Sequence, residues 1–284
     1  MSKFILLAET GSDTPAEIAA KYGITLVPMH VGFGDVTKDD GSFPVTEVFD
    51  FYKKTGQLTR TAGCNVPDFE KVFDSLHAMY PDKHILYLAY SAVTTCSYQS
   101  AVIASEGRDY ITAIDTKHCT AGQCYVLILT ARYLEQHPDA TLEEMKEKIA
   151  GWIEAVHFCF VPGDLDYLRA GGRVSNAAYL GARILSINPL IEVLGGELKA
   201  TRKIRGSMDR VVKKLTPEYI DQYNLSRDLI IFDHSPGLAE ETKAAAEAIA
   251  REKGFKEILW CTCGGVISTH SGPGAFGIAG LSLN

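Results

Sequence analysis

What most constrains this chain is a repeated alternation of short apolar runs with segments of helical period, set off from one another by Gly, Pro or capping residues. Residues 4–8 form a continuous apolar run of strand length, as expected for a strand buried on both faces. Thr14-Pro15-Ala16-Glu17 then offers an N-cap, a proline at the first helical position and a capping-box acid, and Gly23 offers a stop. Residues 24–31 read as the next strand. Phe69, Val72, Phe73, Leu76 and Tyr80 share one helical face after Pro67. Residues 84–90 and 110–114 read as buried strands with a helix between them. Thr141 and Glu144 form a second capping box, opening a helix whose apolar stripe runs from Leu142 through Met145, Ile149 and Ile153 to Val156. Strands alternating with helices predict an α/β fold with a mostly parallel sheet covered on both faces.

After a strand at 158–161 comes a Gly-rich stretch, and the second half repeats the alternation. Strands are predicted at 190–194, 198–204, 229–232 and 258–261, with helices near 208–223 and 236–253. A length of 284 residues suits two domains. The expectation is two α/β domains, residues 1–157 and 158–284, the first built on the mostly parallel sheet.

Charge and composition narrow the function classes. A formal net charge of -7 argues against a nucleic-acid surface, which needs clustered Lys and Arg. It leaves small anions open, since local donors hold those. No apolar run approaches the roughly 18 residues of a membrane span. The run at 4–8 is shorter than the roughly 7–15 residues of a secretory core, and Glu9 ends it. The seven cysteines are odd in number and lack a framework spacing, so reduced, buried thiols and a cytoplasmic location are expected.

In open α/β sheets, ligands bind beyond the carboxyl ends of the strands. Three such ends are polar here: 9–13, 91–97 and 115–118. The second is rich in hydroxyls and leads into a helix, and Thr59-Arg60-Thr61 precedes another helix start. Free amides and hydroxyls there could hold a carboxylate, or the Ser and Thr could simply be caps and turn residues. Gly272 to Gly277 matches G-x-G-x-x-G literally, but the βαβ unit and the later acid of a dinucleotide site are missing, so a tight loop feeding a last strand is expected. No P-loop and no G-x-S-x-G elbow occurs. Cys261, Cys263 and His270 have the wrong spacing for zinc, and alternation along a buried strand accounts for the cysteines. His270 is placed in a polar, Gly-rich loop, where residues face ligands more often.

Several segments together resemble one family. The opening run through Thr14-Pro15 is similar to the first strand and T-D-S-T-x-D-L-P segment of DegV proteins. Thr61 to Cys64 sits where that family has T-S-Q-P, and Ser91 to Ala101 resembles S-S-x-L-S-G-T-Y-Q-S-A. Tyr167 to Ser175 resembles Y-L-x-x-G-G-R-I-S, Ile187-Asn188-Pro189 resembles I-K-P, and Ser268 to Ala275 resembles T-H-T-G-P-G-A. The order holds from end to end. The resemblance implies a carrier, itself not an enzyme, that binds a long-chain fatty acid between its two α/β domains and needs no metal or other cofactor. It implies carboxylate contacts at Thr61, Thr95 and Ser97 with His270 nearby, and charge balance or partner docking at Arg173 and Arg205. The implied partner is a separate fatty acid kinase, a dihydroxyacetone-kinase-like ATP-binding protein, whose acyl phosphate product feeds phospholipid metabolism. Glu9, Ala62, Gly63, Thr95 and Cys96 depart from the family pattern. The competing expectation is a hydrolase or acyltransferase with Thr95 or Ser97 as nucleophile and His270 as base.

Overall fold

A computed structural model of the chain describes residues 2–173 and 187–283. Val174 and Ser175 of the Gly-Gly-Arg segment lie outside the described residues.

The first half builds a four-stranded parallel sheet of order β2-β1-β6-β7 from β1 (Phe4–Glu9), β2 (Ile24–Val27), β6 (His84–Ala89) and β7 (Ile111–Asp115). Every residue of β1 is buried, because it lies between β2 and β6, with Leu7 opposite Thr25 on one side and Tyr87 on the other. A central parallel strand has no solvent face, and so it reads as an unbroken apolar run. The helices α1 (Ala16–Tyr22), α3 (Val66–Met79) and α4 (Ser97–Ala104) connect these strands. A small antiparallel sheet, β4-β3-β5, is formed by β3 (His30–Phe33), β4 (Val36–Asp39) and β5 (Arg60–Ala62), with α2 (Thr46–Thr55) between the last two.

The second sheet has six strands in the order β10-β9-β8-β13-β11-β12. These are β8 (Val156–Val161), β9 (Ile187–Leu194), β10 (Glu197–Arg205), β11 (Leu225–His234), β12 (Glu257–Thr262) and β13 (Phe276–Ser282). Only β11 and β12 pair in parallel; the other neighbours are antiparallel. The helices α5 (Thr120–Gln136) and α6 (Leu142–Ala155) precede this sheet, and α7 (Leu165–Gly171), α8 (Met208–Gln222), α9 (Glu240–Glu252) and α10 (Gly265–Ser271) lie within its run of chain. Among the described residues no helix is long and apolar enough to cross a membrane.

Several sequence expectations change in the structure. The strand expected over 24–31 breaks at Pro28, which has no N–H for a ladder; β2 and β3 then join different sheets. The capping box at Thr14 does not form. Thr14 Oγ1 bonds Ser12 Oγ at 2.9 Å instead, and Pro15 holds the N-cap position. The helix expected from Pro236 starts at Glu240. The stretch from 59 precedes a helix, as expected, but forms β5 before α3, which is capped by Asn65 and Asp68. Helix α5 was not anticipated at all. Most of it is buried, including Ala121, Cys124, Leu127 and Ile128, and it touches β6 of the first sheet as well as β8, β11 and β13 of the second. A helix covered all round shows no amphipathic stripe. One apolar cluster therefore runs from Leu7 through Val126 to Ala279.

Candidate functional site

The largest change concerns His270. It lies in the last turn of α10 rather than in a loop, and α10 is held along its length by side chains from the first half of the chain. Asp13 Oδ1 accepts from Gly264 N at 2.7 Å and Asp40 Oδ1 from Gly265 N at 2.7 Å. Thr59 Oγ1 lies 2.8 Å from Thr269 Oγ1, and Thr61 Oγ1 lies 2.8 Å from His270 Nε2. Thr61 reaches this position because β5 pairs antiparallel with β3, setting Thr61 opposite Val31. The helix that carries the histidine is thereby fixed relative to the strand that carries the threonine.

Thr95 and Ser97 arrive from the loop after β6 and the first residue of α4. Their hydroxyls are 3.2 Å apart. Ser97 is fully buried and accepts from Cys64 N at 3.0 Å. It stands behind Thr95, and Thr95, not Ser97, lies on the wall of the adjoining cavity. A Cβ on Gly63 would sit 2.4 Å from Thr95 Oγ1 and 2.6 Å from Ser97 Oγ. The glycine that departs from the family pattern is thus what leaves room for both hydroxyls.

Gly171, which ends α7, packs on the imidazole: an added Cβ would lie 2.2 Å from His270 Nδ1. Arg173 follows, with Nη1 donating to Gly171 O at 2.7 Å, and it lines the same cavity as Thr61, Thr95 and His270. Burial, and then the Arg173 charge, push the His270 imidazole down to about 4, so at neutral pH it is an uncharged hydrogen-bonding group. Arg205 ends β10 opposite Ile187 in an exposed position and is not on the cavity wall.

The cavity is narrow, with a volume of about 60 Å³. One side of its wall is polar, with Thr61, Thr95, His270 and Arg173. The remainder is mainly apolar, with Met29, Phe160, Leu168, Leu198, Ile267 and Phe276 among the residues. Hydroxyls, a neutral imidazole and a guanidinium on a wall that also carries apolar side chains suit an amphiphilic anion. The nucleophile and base pairing expected of Thr95 or Ser97 with His270 does not form. Neither Thr95 nor Ser97 is hydrogen-bonded to His270, whose Nε2 is engaged by Thr61 and whose Nδ1 has no partner to orient the ring.

Sequence reasoning missed a second polar part of the wall: Cys119, Thr120, Asp233, His234 and Cys263. A signal existed for two segments. Cys119 and Thr120 directly follow the polar end recognised after β7, and Asp233-His234 closes β11. Burial pushes the Asp233 carboxyl up to about 7. Glu9, another departure, is wholly buried and accepts from Tyr90 N at 3.0 Å and Gln123 Nε2 at 3.0 Å, with the Tyr87 hydroxyl as a further donor. It anchors the end of β6 that leads into the Thr95 loop.

Comparison with known proteins adds ancestry to this geometry. A family model described as "uncharacterised protein, DegV family" matches residues 3–282. A DegV domain-containing protein of Streptococcus pyogenes is 30% identical, with 99% of each chain covered. A protein of Thermotoga maritima named fatty acid-binding protein is 26% identical, covering 97% of this chain and 96% of its own. The solved structure of a DegV family protein from Thermus thermophilus, described by its fatty acid binding, superposes with a TM-score of 0.87 at 23% identity over 99% of both chains.

Proposed function

The chain belongs to the DegV family, and on that premise we propose that it is a non-enzymatic carrier of one long-chain fatty acid. The carboxylate accepts hydrogen bonds from Thr61 and Thr95, with Ser97 supporting Thr95 from behind and His270 as an uncharged partner. Arg173 balances the anion's charge. The acyl tail occupies the apolar part of the cavity, between an N-terminal domain of residues 1–157 and a C-terminal domain of residues 158–284. Burial at about 0.8 kcal/mol per methylene makes the tail the main source of affinity. The observation that carries this reading is the convergence of Thr61, Thr95, His270 and Arg173 on one cavity whose wall also carries a run of apolar side chains. The names of the Thermotoga and Thermus relatives agree with it.

On this reading the protein works in the cytoplasm and presents the acid to a separate ATP-dependent kinase, which forms the acyl phosphate. Arg205, exposed and away from the cavity, is assigned to docking that kinase. The chain has no P-loop of its own.

Denaturing extraction of freshly purified protein, followed by mass spectrometry, should yield one fatty acid per chain. Recovery of no acyl chain, together with no uptake of added palmitate or oleate, would sink the proposal. ATP turnover stimulated by fatty acid with this chain alone would overturn the non-enzymatic assignment.

A further inference from the structure

Where the two halves meet, three carboxyl groups are buried together. Asp13 follows β1, Asp40 follows β4 and Asp233 lies near the end of β11; they are 6%, 4% and 3% exposed. Asp13, Asp233 and the buried Cys263 each offer a ligand atom, and these atoms lie within 4.8 Å of one another. Asp13 Oδ2, Asp40 Oδ2 and Asp233 Oδ1 have no hydrogen-bond partner. No Lys, Arg or His among the described residues forms an ion pair with any of the three. Their other oxygens meet only neutral donors, and buried carboxyls without a counter-charge hold their protons or bind a metal.

We propose that Asp13, Asp233 and Cys263 form a binding site for a zinc(II)-class divalent cation at the seam between the two halves. The donor set decides the class. A thiolate with two carboxylates suits zinc, whereas magnesium and calcium take six or more oxygens. Bonds of about 2.0–2.3 Å would draw the three atoms to separations of about 3.5 Å. The fourth position goes to water. The outer partners that a metal site needs are in place, since Gly264 N donates to Asp13 Oδ1 and the Thr120 hydroxyl to Asp233 Oδ2. An entry path exists as well. Asp13 and Asp40 line an open cleft with Thr10 and Glu17, while Asp233 and Cys263 face the main cavity. On binding, the Cys263 thiol and any protonated carboxyl of Asp13 or Asp233 give up their protons to solvent, and the sulfur and carboxylate oxygens take the metal, with no change of oxidation state.

The test uses the full-length protein stripped of metals by a chelator and titrated with cobalt(II). One equivalent should bind and produce a thiolate-to-cobalt charge-transfer band in the near ultraviolet. Cys263→Ser should abolish the band, and Asp13→Asn should weaken cobalt binding about tenfold or more. No band in the wild-type protein, or a band of full strength in Cys263→Ser, overturns the site. Zinc-edge X-ray absorption of the wild-type protein gives a reading that needs no variant. One sulfur at about 2.3 Å with oxygens near 2.0 Å is expected, and a shell with no sulfur or with several overturns it.

Discussion

At the residue scale, the proposed function turns on a few hydroxyls and one uncharged ring. Thr61 has two duties in the proposed site: it faces the ligand, and it holds His270 Nε2 at 2.8 Å. A hydrogen bond to a charged carboxylate contributes roughly 1.5–3 kcal/mol. Thr61→Ala and Thr95→Ala should therefore each weaken fatty-acid binding about tenfold or more, without abolishing it, because tail burial is untouched. Thr95→Ser keeps the donor and should bind more tightly than Thr95→Ala. Titration with a fluorescent fatty acid checks the order, and equal affinities in wild type and both alanine variants would place the carboxylate elsewhere. A second residue, His118, gives a pH signature. It is 4% exposed, Nε2 lies 3.0 Å from Ile153 O, and Nδ1 has no partner. Burial pushes its imidazole from 6.5 down to about 4. A histidine with a depressed native value stabilises the fold fully above 6.5, and that contribution is lost as pH falls toward 4. The loss is on the order of 3 kcal/mol. Urea unfolding of wild type and His118→Gln from neutral pH downward should show the wild type losing stability faster. Parallel curves would mean that the ring is not buried neutral.

At the scale of elements, α10 is the piece that assembles the site. It has only seven residues, Gly265–Ser271, about two turns, too short to be stable alone. Its position depends on Asp13, Asp40, Thr59 and Thr61, all far away in sequence. Asp40→Ala removes the acceptor for Gly265 N and should cost about 1–2 kcal/mol of stability. It should also lower fatty-acid affinity severalfold, because His270 moves with the helix. Unfolding and titration of the same variant separate the two effects. Lost stability with full affinity would show that the anchor at Asp40 is structural and does not reach the imidazole.

At the scale of the molecule, the cavity is built from both halves, with Thr61 and Tyr90 on one side and Phe160, Asp233 and Phe276 on the six-stranded sheet. Helix α5 links the two sheets through one apolar cluster. A ligand bound only by the native state at a hundred times its dissociation constant stabilises by about 2.7 kcal/mol. Oleate should therefore raise the unfolding midpoint in a concentration-dependent way, and far-ultraviolet dichroism and tryptophan fluorescence should report the same transition. Two separated transitions, of which only one responds to ligand, would show that the halves unfold independently.

The sequence by itself determined the elements whose burial is regular. The all-apolar run of β1, the stripe of α3 and the Thr141 cap of α6 were each legible, because strand alternation, helical period and capping are local rules. The family, and through it the roles proposed for Thr61, Thr95 and His270, were legible from ordered short motifs. Only the tertiary structure decided what those rules do not reach. Helix α5 is hidden because burial on every side erases periodicity. The helix under His270 is too short for a period to show, and side chains more than two hundred positions away fix it. Cys263 looked like a core thiol beside Cys261 until folding brought Asp13 and Asp233 to it. Contacts of that kind are set by how two sheets close on each other, and no window of sequence contains both partners.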